Sequence, residues 1–142
     1  MRMAVTTSEH CLNTRKDFEI VDITATVQEA VKQSHIRNGL VTMFTPHTTC
    51  AIRINEAEEN LLRDIEVFLD KIAPGRGDYA HNESPIDKRV NAHSHLRSLL
   101  LNTSETIPIH EGNLCLGRWQ RVFFIELDGP RRERRFYIEV LG

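Results

Sequence analysis

Three of the seven histidines stand in segments dense with groups that do chemistry: His47 in PHTTCAIRINE, His81 in YAHNE and His95 in NAHSHLRS. Imidazole can serve as a metal ligand, a proton carrier or a phosphate-binding cation near neutral pH. Three of them on separate segments predict a site that only folding assembles. As metal ligands, His47, His81 and His95 would supply three nitrogens and leave a position open, the pattern of catalytic zinc. No HExxH or other compact ligand signature accompanies them. As phosphate binders, they would act with Arg131 and with backbone N–H groups at the start of a helix near Asn91. A metal site of neutral imidazoles weakens on acidification below roughly pH 6, whereas an imidazolium phosphate site strengthens there.

His93 and His95 form an HxH pair. On a helix, residues two apart point about 200° away from each other, so only one of them would face the site. Glu56 reads either as a general base or partner orienting His47, or as an acid at a helix N-terminus. Trp119 reads as a wall for a planar ring or as core. Gln120, just ahead of an apolar strand, is a candidate polar contact for substrate. Cys11, Cys50 and Cys115 are an odd number at wide spacing with no CxxC, which predicts reduced thiols.

These residues need elements to hold them. FEIVDITATV predicts a strand passing into a helix capped by Thr24 or Thr26, and Asn38-Gly39 supplies a left-handed stop. LVTMFTP and TTCAIRI are β-branched strands meeting at Pro46-His47, so His47 should begin its strand at an edge or break. Residues 56–72 predict a helix with Leu61, Leu62, Ile65, Phe68, Leu69 and Ile72 on one face. Residues 73–89 form a polar loop, of a length more often functional than idle. NAHSHLRSLLL reads as a short helix. RWQRVFFIELD and RRFYIEVLG read as strands joined in a basic hairpin at Asp128-Gly129-Pro130. The unbroken VFFI run marks a central strand covered on both faces. The expected fold class is α+β, a single domain over residues 1–142, with mostly antiparallel strands and two or three helices.

The formal net charge of −2 argues against a dedicated nucleic-acid binder. No apolar run approaches the roughly 18 residues needed to span a bilayer. The N-terminal segment lacks the apolar stretch of a signal peptide, so a cytoplasmic location is expected.

PHTTCAIRINE (46–56), YAHN (79–82), NAHSHL (91–96), LGRWQ (116–120) and ELDGPR (126–131) together resemble the YjbQ-like family, also called the secondary thiamine-phosphate synthase family. The resemblance covers nearly the whole chain. It implies a small α+β, two-sheet sandwich that assembles as a homotrimer, with weak thiamine-phosphate-synthase-type activity. That reaction joins an aminopyrimidine methyl diphosphate to a thiazole phosphate and expels pyrophosphate. His47, Asn55, Glu56, His81, Asn91, His95, Trp119, Gln120, Glu126, Asp128 and Arg131 fall on its motif positions. With it, the expected assignment is His47, His95, Glu56 and Gln120 as catalytic, and Asn55, Asn91, Trp119 and Arg131 as substrate-binding. His47, His81 and His95 are the expected ligands of a divalent metal, zinc, or magnesium with a diphosphate substrate. The other readings of these residues are a metal-dependent hydrolase of a small metabolite and a non-catalytic metabolite-binding trimer.

Overall fold

The computed structural model describes residues 3–142. In chain order they form β1 (Val5–Leu12), β2 (Glu19–Asp22), α1 (Thr24–Ser34), β3 (Gly39–Phe44), β4 (Cys50–Glu56), α2 (Glu59–Ile72), α3 (Ala80–Glu83), α4 (Ala92–Leu101), β5 (Ser104–His110), β6 (Asn113–Leu114), β7 (Gln120–Glu126) and β8 (Arg134–Leu141). The strands make two antiparallel sheets, one ordered β1-β8-β3-β5-β6 and the other β2-β7-β4. The α+β sandwich matches the expectation. The helix count exceeds it by the four-residue α3, which lies inside the segment read as loop.

Strand alternation decides the layers. Val41, Met43, Ile107, Ile138 and Val140 of the larger sheet pack against Ile52, Val122 and Phe124 of the smaller one, with Val27 and Val31 of α1 in the same core. The opposite face of the smaller sheet, Ala51, Phe123 and Ile125, packs against Leu69 of α2, with Leu101 of α4 alongside. β7 is therefore central and buried on both faces, as its VFFI run predicts. Each large apolar side chain so enclosed contributes roughly 1.5–3 kcal/mol relative to exposure.

Local punctuation differs in three places. Neither threonine caps α1: Ile23 holds the cap position, and the Asp22 carboxylate accepts from the Thr24 backbone N–H at 2.9 Å and its hydroxyl at 2.6 Å. The left-handed stop is His35, at φ 58°, and not Asn38-Gly39. Gly39 instead opens β3 so close to β8 that a Cβ there would lie 1.9 Å from the Leu141 carbonyl oxygen. α2 begins after Glu58, whose carboxylate accepts from the N–H groups of Asn60 and Leu61, because Glu56 still belongs to β4. Of its predicted apolar face, Leu62, Ile65 and Leu69 are packed, while Phe68 and Ile72 stay exposed.

The largest correction concerns Asp128-Gly129-Pro130. β7 pairs with β2 and β4, whereas β8 pairs with β1 and β3, so the expected hairpin is a crossing from one sheet to the other. Gly129 permits it: its N–H donates to the Asp17 carbonyl, and a Cβ would come within 2.0 Å of the Lys16 carbonyl oxygen. The crossing carries charged side chains into the sandwich, and the candidate site is built on them.

Candidate functional site

Glu126 ends β7 in phase with Val122 and Phe124, so its carboxylate enters the core, fully buried. Arg134, the first residue of β8, meets it with two parallel bonds, Nε to Oε2 and Nη2 to Oε1, both 2.6 Å. The Thr14 hydroxyl and the backbone N–H groups of Leu127 and Asp128 complete its shell. Burial alone would raise the Glu126 carboxyl, but the Arg134 bonds and the Asp128 N–H hold it below the usual range. Cys50 lies beside this pair, its thiol pushed up by burial and by the Glu126 charge, which makes it a poor nucleophile. Its buried, reduced state agrees with the sequence; Cys11 and Cys115 are exposed.

Two residues on, Asp128 collects a second set of donors: Arg89 through Nε and Nη2 at 3.0 Å each, Arg131 Nη2 at 2.7 Å and Asn91 Nδ2 at 2.9 Å. Against the raising effect of burial, these bonds keep its carboxyl low. An ionised carboxylate only accepts, so Asn91 must turn its amide nitrogen to Asp128 and its oxygen to His81. His81 Nε2 then donates to Asn91 Oδ1 at 3.1 Å. The His81 ring meets His95 edge-on, with centroids 4.9 Å apart.

His47 does not begin a strand; it sits in the connection Thr45–Thr49 between β3 and β4. Its Nε2 accepts the backbone N–H of Arg135 at 2.9 Å, so the neutral ring carries its proton on Nδ1. Burial, and then the Arg134 charge, hold its pKa below the ordinary value. His95 has no hydrogen bond to either ring nitrogen among the described residues, so both nitrogens are open to a ligand in the cavity. A cavity of about 230 Å³ joins these groups, lined by His47, Thr49, Asn91, His95, Arg131 and Arg134, with Asp87 also on its wall.

The described residues show no preformed three-histidine cluster. His47 and His81 have each committed Nε2, and among the described residues no three His, Cys, Asp or Glu side chains converge to hold an ion. The helical reading of the HxH pair does apply, since both lie on α4. His93 turns away from the pocket: its Nε2 bonds the Ser94 hydroxyl, and its Nδ1 is buried without a partner. Burial and the Arg97 charge lower its pKa.

A pH prediction follows. His47 and His93 are held neutral in the fold, so the unfolded chain binds their protons first as pH falls below about 6.5. Their stability contribution is full above that value and is lost toward their lower folded pKa values. Glu126 and Asp128 act in the same direction further down, losing theirs below about pH 4.5. Thermal midpoints should therefore decline from pH 7 to 5 and again below pH 4.5, and His93→Leu should flatten the first decline. A midpoint that rises between pH 7 and 5.5 would contradict the assignment.

Four of the expected site residues lie elsewhere. Register pairs Glu56 with Gln120 and Asn55 with Arg121 at one end of the smaller sheet, while Cys50 pairs with Glu126 at the other. Six residues of strand separate the two ends by about 20 Å, so Glu56 does not orient His47. Asn55 Oδ1 accepts the N–H of Glu56, and Gln120 Oε1 accepts the N–H of Gly117, closing the LGRWQ turn. Trp119 is 60% exposed beneath the Arg118 guanidinium, neither core nor pocket wall. Conversely, Arg89 and Asp87 join the site from outside the expected set, and Arg134, whose basic cluster reads as a solvated turn or subunit contact, is buried in it. The signal for Arg134 was Glu126 itself: a carboxylate on the inward phase of a fully buried strand demands a buried cation.

A profile of the family described as "UPF0047 protein YjbQ-like" matches residues 8–142. The chain belongs to the YjbQ-like UPF0047 family. A UPF0047 protein of Methanothermobacter thermautotrophicus is 46% identical over 140 residues, which is 99% of this chain and 94% of that one. The crystal structure of a YbjQ-like protein of unknown function from Sulfolobus solfataricus superposes with a TM-score of 0.94 at 39% identity, covering 99% of both chains. A YjbQ/UPF0047 protein of Clostridium acetobutylicum gives 0.86 at 41% identity, over 94% of this chain and 98% of that one. The YjbQ-like fold is thus shared along nearly its full length. No helix among the described residues is long and apolar enough to cross a membrane.

Proposed function

We propose that this YjbQ-like protein binds a small phosphorylated metabolite in the His47–His95 cavity and acts on it by proton transfer at His95. The observation that carries this reading is the convergence of Arg131 and Arg134 on a cavity also lined by His47, Thr48, Thr49, Asn91 and His95, where two guanidinium groups outnumber the single carboxylate, Asp87. Arg134 spends Nε and Nη2 on Glu126 and Arg131 spends Nε and Nη2 on Asp128, so each keeps Nη1 for a ligand. His47 adds a neutral Nδ1–H. Charge-assisted bonds of this kind suit phosphate or diphosphate.

The reaction that family resemblance implies is the pyrophosphate-displacing transfer of thiamine-phosphate synthesis. The thiazole nitrogen forms a C–N bond at the pyrimidine methylene carbon, and the C–O bond to diphosphate breaks with its electron pair leaving on pyrophosphate. In this reading His95 protonates that leaving oxygen and the arginines stabilise its charge. Magnesium arriving with a diphosphate fits this reading better than zinc on three histidines, with the Asp87 carboxylate as a hard oxygen ligand. A homotrimer accords with the exposed apolar side chains Val67, Phe68 and Ile72 of α2 and Leu96, Leu99 and Leu100 of α4.

Pyrophosphate binding tests the reading. Titrated calorimetrically, it should bind wild type, weaken about tenfold or more in Arg131→Gln and recover in part in Arg131→Lys. Equal binding by all three chains would remove the anion pocket.

A further inference from the structure

A second cavity, of about 490 Å³, opens on the other side of Thr48 and His95, which line both it and the anion pocket. Its walls otherwise include Leu99, Asn102, Thr103 and Ser104, and no Asp, Glu, Lys or Arg. The contrast with its neighbour is chemical. One compartment presents two guanidinium groups and the Asp87 carboxylate, and the other presents hydroxyls, an amide and a leucine side chain.

We infer that the site takes one phosphorylated molecule whose body is uncharged. Its phosphate or diphosphate occupies the arginine pocket, and a ring-sized neutral body with hydroxyl or amide groups occupies the adjoining compartment. The bond between the two parts then lies beside His95 and Thr48, the two residues common to both cavities. This rests on the anion-pocket reading above and adds the class of molecule. A charged body would lose hydration in the second compartment without gaining a counter-charge. A half-polar one finds partners for its hydroxyls and an apolar contact on Leu99, the composition usual for cavities that hold small organic ligands.

The experiment compares inorganic phosphate, ribose 5-phosphate, phenyl phosphate and 3-phosphoglycerate as calorimetric ligands for the full chain, Arg131→Gln and Leu99→Glu. Leu99 is exposed on α4, so its replacement leaves the core untouched, and light scattering of each variant separates loss of assembly from loss of the compartment. At least one neutral-bodied ester should bind about tenfold tighter than inorganic phosphate. Leu99→Glu should erase that gain and leave phosphate affinity within about twofold. Suppose instead that no ester exceeds phosphate, or that 3-phosphoglycerate matches the best neutral ester, while Arg131→Gln still weakens phosphate. The anion pocket then stands and the neutral-body inference falls. Phosphate binding that is absent, or indifferent to Arg131→Gln, overturns the anion pocket itself.

Discussion

Arg134→Met should destabilise the fold by about 3–5 kcal/mol, more than any other single change at the site. The replacement keeps the apolar stem of the side chain but strands the fully buried Glu126 carboxylate, leaving Thr14 and two backbone N–H groups to carry its charge. It also releases Thr49, which accepts from Arg134 Nη2 at 3.0 Å. The pair joins β7 of one sheet to β8 of the other, so its loss loosens the crossing that positions Asp128, Arg131 and the His47 loop. Urea unfolding should show a lower midpoint with an unchanged m-value. The double variant Glu126→Leu/Arg134→Met should be more stable than Arg134→Met, because no unpaired charge remains buried. If Arg134→Met unfolds within about 1 kcal/mol of wild type, the pair is not the staple proposed here.

That staple also marks where sequence reading succeeds and where it stops. The central β7, the amphipathic α2 and the helical placement of His93 and His95 were legible because burial imposes its own period on the chain. The grouping of Asn91, Arg131 and the three histidines at the crossing end was legible only through motif resemblance, since nothing local joins residues 47, 81, 95 and 131. Asp128-Gly129-Pro130 reads the same whether it returns a strand to its neighbour or sends it to another sheet. Pairing partners distinguish the two, and they lie far away in sequence. Glu56 and Gln120 were placed with the histidines because motif membership carries no distance; strand register then set them about 20 Å away. The metal expectation meets a limit of a different kind. Nitrogen count is visible in sequence, but which nitrogens are already committed is not: His47 gives Nε2 to the N–H of Arg135 and His81 gives Nε2 to Asn91.

The same ledger of nitrogens leads to the second large effect. If the proposed pyrophosphate-displacing reaction is the one catalysed, His95→Ala should lower its turnover by about 10²–10⁴-fold, the range for a lost general acid or base, and leave pyrophosphate affinity within a few-fold of wild type. His47 cannot take over its role. Accepting a proton on Nε2 would break the bond to Arg135, and the Arg134 charge opposes it. His81 is tied through Asn91 to Asp128 and touches His95 edge-on, so it acts as a positioning residue. His81→Ala should therefore reduce kcat less than His95→Ala. Arg131→Gln should instead raise KM, through lost anion binding. Rapid-quench measurement of pyrophosphate release under single-turnover conditions separates chemistry from binding for all three variants. If His95→Ala raises KM alone, His95 is a contact for bound substrate and the proton must travel by another group. If neither kcat nor KM moves, the reacting bond lies away from the junction of the two cavities, and the acid–base assignment is withdrawn while the anion pocket remains.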